Sequence, residues 1–245
     1  MNVISRMTLK RIMFASLIFL LSFCPPLFAA EPTFEVIKVK GGVVGRDFVG
    51  VGDIVYFAGT DASHGQELWR TDGTDAGTYM VKDIYPGSVS SRPNWLTNVN
   101  GTLFFVANNG KHGIELWKSD GTTSGTTLLK DIYPGSETSV PSDLTNVNGT
   151  LFFRATDSVH GCELWKSNGT ASGTTLLKDI YPGYTSSWPA YLINVNGTLF
   201  FRADDNTHGY ELWKSNGTAS GTTLVKDIYP GGPCLLYTSD AADEE

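Results

Sequence analysis

One interval governs this chain: the tripeptide Glu-Leu-Trp recurs every 48 residues, at Glu67, Glu115, Glu163 and Glu211. Lys-Asp-Ile-Tyr-Pro-Gly keeps the same step from Lys82, Lys130, Lys178 and Lys226, and so do His64, His112, His160 and His208, each followed by glycine. A fixed period of this length, free of insertions, marks an array of identical supersecondary units. The units run over 48–95, 96–143, 144–191 and 192–233.

Within 144–191 the pattern is that of short strands. Asn148-Gly149 is a two-residue hairpin signal, because both positions of a type I′ turn need positive φ. Thr150 to Ala155 is aromatic and β-favouring. Cys162 to Lys166 alternates, with Glu163 and Trp165 on one face and Leu164 on the other. Thr174 to Ile180 is a fourth strand, which Pro182-Gly183 stops, since proline lacks the donor that a central strand needs. Leu151, Phe152 and Phe153 are consecutive, so both faces of their strand are apolar and both need covering. Sheets stacked around an axis meet that need. The fold class expected is all-β: a β-propeller, or part of one, built of four-stranded antiparallel blades. A linear β-solenoid is the structural alternative, although its strands pair between repeats rather than within hairpins.

The units resemble the bacterial ELWxxDGT repeat family. The motif stands as Glu67 to Thr74, Glu115 to Thr122, Glu163 to Thr170 and Glu211 to Thr218, with Asn168 and Asn216 replacing Asp72 and Asp120 in the last two copies. The resemblance implies secreted, propeller-like repeats of large surface or extracellular proteins, and it supplies no catalytic residues.

The ends read differently from the body. Arg6, Lys10 and Arg11 precede the uncharged apolar run Ile12 to Phe23, and Ala29-Ala30 offer small residues for cleavage. Residues 1–30 are expected to be a Sec-type signal peptide, too short in its apolar part to span a bilayer. This predicts a secreted or cell-surface protein without stable membrane insertion. Within 31–47, Thr33 to Val39 is expected to be a strand that pairs into the last blade. Residues 234–245 depart from the repeat and resemble a translated library adapter, so further repeats are expected beyond them. Cys162 is the one cysteine of the repeat body, which rules out a disulfide within it.

Composition narrows function. A net charge of −7, with no basic cluster in the body, argues against nucleic acid as a partner. Each histidine follows Asp61, Asn109, Asp157 or Asp205 by three positions, one possible ligand pair per unit and too few for zinc. The Asp-Gly-Thr and Asn-Gly-Thr loops offer too few oxygens for calcium. No metal or cofactor is therefore expected, and the histidines are read as turn residues. Trp69, Trp117, Trp165 and Trp213 are read as core between blades. Variation concentrates in 88–94, 136–142 and 184–190 and in the residues before each histidine. Trp95, Trp188 and Tyr184, aromatics in or beside these loops, are the candidate binding residues. The reading is an exported, non-catalytic scaffold that binds an extracellular protein or glycan through propeller loops. The alternative is the propeller portion of a larger secreted enzyme, carbohydrate-active or similar, with its catalytic part elsewhere.

Overall fold

A computed structural model describes residues 45–230; the signal segment, the Thr33 to Val39 strand and the tail from 234 lie outside the described residues. The described residues form four antiparallel four-stranded sheets, each meandering in chain order. The first sheet is β1 (Arg46–Val51), β2 (Ile54–Asp61), β3 (Gly65–Thr71) and β4 (Tyr79–Lys82); the second is β5 (Asn94–Val99), β6 (Thr102–Asn108), β7 (Ile114–Ser119) and β8 (Thr127–Lys130). The third is β9 (Ser142–Val147), β10 (Thr150–Asp157), β11 (Gly161–Ser167) and β12 (Thr175–Lys178); the fourth is β13 (Ala190–Val195), β14 (Thr198–Asp204), β15 (Tyr210–Ser215) and β16 (Thr223–Lys226). The first strands lie beside one another in the series β1, β5, β9, β13, so these strands line the inside of the array. This is the arrangement of consecutive propeller blades, as the repeat pattern predicts.

Local chemistry sets each blade. The first hairpin of the third sheet turns on Asn148 and Gly149, at φ 50° and 82°, the two positive values that a type I′ turn needs. In the turn between the last two strands, at the same end, Asn168 Oδ1 accepts hydrogen bonds from Thr170 N and Oγ1 at 3.0 and 2.7 Å. Asp72 makes the same pair with Thr74 at 2.9 and 2.7 Å. The loop therefore uses an acceptor oxygen rather than a charge, which explains why Asn and Asp interchange there.

The core sits between sheets, not within them. Tyr56, Leu68, Val81 and Ile84 of the first sheet pack against Leu103, Phe105, Ala107 and Trp117 of the second. Phe104, Leu116, Leu129 and Ile132 meet Leu151, Phe153, Ala155 and Trp165 in the same way. Phe152, Leu164, Leu177 and Ile180 meet Leu199, Phe201, Ala203 and Trp213. Each sheet thus has a leading face, carrying the Glu and Trp of Glu-Leu-Trp, and a trailing face carrying the Leu.

Polar contacts follow the same step. Lys82, Lys130 and Lys178 donate to the carbonyls of Thr126, Thr174 and Thr222 in the next sheet, at 2.7, 2.7 and 2.8 Å. The neighbouring aspartates take no part; Asp83, Asp131 and Asp179 instead accept from Gly87, Gly135 and Gly183 N. Asn98, Asn146 and Asn194 each reach back to the preceding sheet, donating to the carbonyls of Gly50, Asn98 and Asn146.

Leu164 is fully buried, whereas Leu212, its counterpart in the fourth sheet, is 39% exposed. Leu164→Ala should cost about 2–5 kcal/mol by the usual cavity penalty, and Leu212→Ala clearly less. Equilibrium denaturation of the two variants checks this order.

Candidate functional site

The two ends of the sheets differ in kind. One end carries the Asn-Gly hairpins and the Asp-Gly-Thr or Asn-Gly-Thr turns, which repeat almost unchanged. The other end carries the histidine turns and the crossovers that run from the last strand of one sheet to the first strand of the next. All the variable segments noted in the sequence gather at this second end.

A buried glutamate fixes each crossover there. Glu115 is wholly buried; its Oε2 accepts from Ile132 N at 3.0 Å and Ser139 Oγ at 2.6 Å, and its Oε1 from Tyr133 N at 3.3 Å and Ser139 N at 3.0 Å. Glu67 holds Ile84, Tyr85 and Ser91 in the same way, and Glu163 holds Ile180 and Ser187. One carboxylate thereby clamps both ends of the crossover that follows its strand. Burial pushes the Glu115 and Glu163 carboxyls up to about 7, against the opposing pull of the serine hydroxyls and backbone amides.

The histidine turns rest against the clamped crossovers. Asp157 Oδ1 accepts from Val159 N and His160 N at 2.9 and 2.6 Å, an Asx turn, while Oδ2 meets His160 Nδ1 at 2.8 Å. Asp61 with His64 and Asp205 with His208 repeat this, and the hydrogen bond to aspartate raises the pKa of each of the three histidines. Asn109 makes the same turn, with its Nδ2 2.9 Å from His112 Nδ1. The turn survives with an amide in place of the carboxylate. Among the described residues no cluster of three or more His, Cys, Asp or Glu side chains could hold a metal ion. The tryptophans Trp117, Trp165 and Trp213 are 5% exposed between sheets, where sugar cannot reach their rings. Cys162 is buried and unpaired.

The inner strands start with a defect that re-aims side chains. In every sheet the pairing of the first two strands shifts register, between Arg46 and Val49, Asn94 and Thr97, Ser142 and Thr145, and Ala190 and Ile193. Asp47, Trp95, Asp143 and Tyr191 sit at these bulges with φ of 58°, 54°, 57° and 57°. Arg92, Val140 and Trp188, three residues earlier in their units, are left-handed too, at 53°, 44° and 48°. Left-handed backbone is costly for bulky and β-branched side chains, and strain of this kind gathers at ligand sites. Bulges serve to turn a side chain out of its strand's alternation.

Here the bulges expose large side chains. Trp95 is 46% exposed, Trp188 50%, Tyr191 75% and Val140 53%. Between the third and fourth sheets unlike polar groups converge on the same rim. Arg154 Nε donates to Ser142 Oγ at 2.6 Å and lies 3.3 Å from Asp143 Oδ2, and its Nη1 reaches the Pro189 carbonyl. Asp143 Oδ1 accepts from Tyr191 N at 3.3 Å. Arg202 lies over the Tyr191 and Tyr210 rings at 5.1 and 4.5 Å. Of the residues singled out from sequence, Trp95 and Trp188 stand on this rim, and Tyr184 is largely exposed on the crossover before it. Asp143, Arg154, Tyr191 and Arg202 escaped notice. Their signal was an arginine at 154 and 202 where Ala58 and Val106 keep the strand apolar.

No family model and no curated protein matches the sequence. Among solved structures, a Bacteroides ovatus protein described as xyloglucan PUL GH43B shares 13% identity over 78% of this chain and 42% of its own, at a TM-score of 0.36. A puromycin hydrolase mutant shares 13% over 78% of this chain and 40% of its own, at 0.38. An α-L-arabinofuranosidase from Clostridium thermocellum shares 19% over 74% and 71%, at 0.34. The chain therefore spans about two fifths of the first two, and likeness of this degree says nothing of activity.

The raised glutamates set a pH dependence. A folded-state value above the ordinary 4.5 means that the fold holds the proton more tightly than the unfolded chain does. Their contribution is complete below 4.5 and is lost as pH climbs toward about 7. Thermal melts should show Tm falling across that window, and Glu115→Gln with Glu163→Gln should flatten the slope.

Proposed function

We propose that this chain is an exported binding scaffold whose ligand is an extracellular glycan, taken up on the rim where the inner strands begin. The observation that carries the reading is the division of labour between the two ends. Nearly uniform turns build one end, while every variable segment, every strained non-glycine bulge and the exposed Trp95, Trp188 and Tyr191 share the other. Loops held on a rigid frame are where recognition resides. Exposed aromatic faces offer stacking surfaces for sugar rings, and the Asp143–Arg154 pair and Arg202 offer hydrogen bonds to hydroxyl or carboxylate groups. The signal-like N-terminus and the resemblance to secreted ELWxxDGT repeats support an extracellular setting.

Glycan-array binding of the purified protein, followed by calorimetry, tests this. Trp95→Ala and Tyr191→Ala should each weaken binding by about tenfold or more, the usual cost of an aromatic anchor, with little change in Tm. Thr170→Ala, at the far end, should leave affinity unchanged. An empty glycan array beside a positive protein array would replace the ligand class; blanks on both would remove the reading.

A further inference from the structure

Two matching crevices open at the end of the sheets opposite the rim, where one sheet meets the next. The first, of about 200 Å³, is lined by Asn100, Thr102, Phe104 and Lys118 of the second sheet and by Asn168 and Gly169 of the third. The second, of about 190 Å³, is lined by Asn148, Thr150, Phe152 and Lys166 of the third sheet and by Asn216 and Gly217 of the fourth. Position for position, the residues lining the two crevices are identical.

The seam between the first and second sheets is furnished differently. Tyr56 stands there for Phe104, Arg70 for Lys118 and Asp120 for Asn168, while Gly52 and Ile54 replace Asn100 and Thr102. The Tyr56 hydroxyl and Arg70 Nη1 pack over Gly121, whereas Phe104 and Phe152 bring only a ring edge to Gly169 and Gly217. Asp120 adds a negative charge beside Tyr56 and Arg70.

The two crevices hold a positive charge and no acid. Lys118 Nζ donates to the Gly169 carbonyl at 2.8 Å and Lys166 Nζ to the Gly217 carbonyl at 2.7 Å. An ammonium has three N–H groups, so two on each lysine find no protein acceptor among the described residues. The side-chain amides of Asn100 and Asn148 and the hydroxyls of Thr102 and Thr150 have no protein partner among the described residues either. None of the lining residues is a carboxylate. Each crevice thus sets free ammonium donors, an amide and a hydroxyl beside a buried phenyl wall.

We propose that each crevice takes one small hydroxycarboxylate, of the size of a single sugar acid. Its carboxylate lies on the lysine ammonium, a charge-assisted contact, and its hydroxyls meet the Asn and Thr side chains. This site is independent of the rim at the other end.

Titration calorimetry of the full chain with glucuronate should give two equivalent sites, one per crevice, with affinity that falls as salt is added. Glucose, which lacks the charge, should bind about tenfold more weakly or worse. Phe104→Tyr combined with Asn168→Asp gives the first crevice the tyrosine and aspartate of the first seam, which the fold already accommodates as Tyr56 and Asp120. That variant should keep its Tm and lose one site. Adding Phe152→Tyr and Asn216→Asp should remove the other. No binding at millimolar glucuronate would overturn the inference. So would equal affinity for glucose, or glucuronate sites that persist after all four substitutions.

Discussion

Every sheet in this molecule is apolar on both faces, and the packing of one sheet on the next is the interaction from which the rest follows. A four-stranded sheet with Leu103, Phe104 and Phe105 in sequence cannot hold itself together in water, because whichever side faces inward the other is left wet. Stacking removes the conflict. Phe105 goes to the sheet before and Phe104 to the sheet after, and no residue of this strand run is wasted on solvent. The lysines that cross the same seams add register to adhesion: a sheet displaced by one residue would lose Lys130 from both the Thr174 carbonyl and the Trp165 ring.

The buried glutamates solve a different problem. A crossover joining the outer edge of one blade to the inner edge of the next contains several backbone amides with no strand to pair with, and buried amides require acceptors. Glu67, Glu115 and Glu163 meet this by accepting from both ends of the loop at once. With its ends pinned, the middle of the crossover is free to vary. The tolerance of these loops to variation is therefore a property of the clamp beneath them, not of the loops themselves.

The fold was largely readable from the chain because its determinants are local and repeated. Hairpin turns announce themselves in Asn-Gly, and the alternation of Glu163, Leu164 and Trp165 assigns faces correctly. The clamp was hidden because its partners stand 17 and 24 residues away from each glutamate. Beside Trp, Glu115 looks like an ordinary strand residue, and only the tertiary path of the crossover shows that it is buried. Nor does sequence betray the left-handed backbone at Trp95 and Tyr191, since the residue that would advertise it is glycine. The fold sends Lys82 to a neighbouring sheet's carbonyl and Asp83 to its own loop, contacts that only the tertiary path reveals.

Because the Lys82 to Thr126 contact is the same as Lys178 to Thr222, the seams are interchangeable. A recombination event that removes or duplicates a stretch of one full period, wherever its breakpoints fall, joins a blade to a neighbour it already knows how to meet. Such a gene can lengthen or shorten in whole blades while each retained crossover carries its own surface loop along. New combinations of surface loops then arise by shuffling, without the core having to be rebuilt.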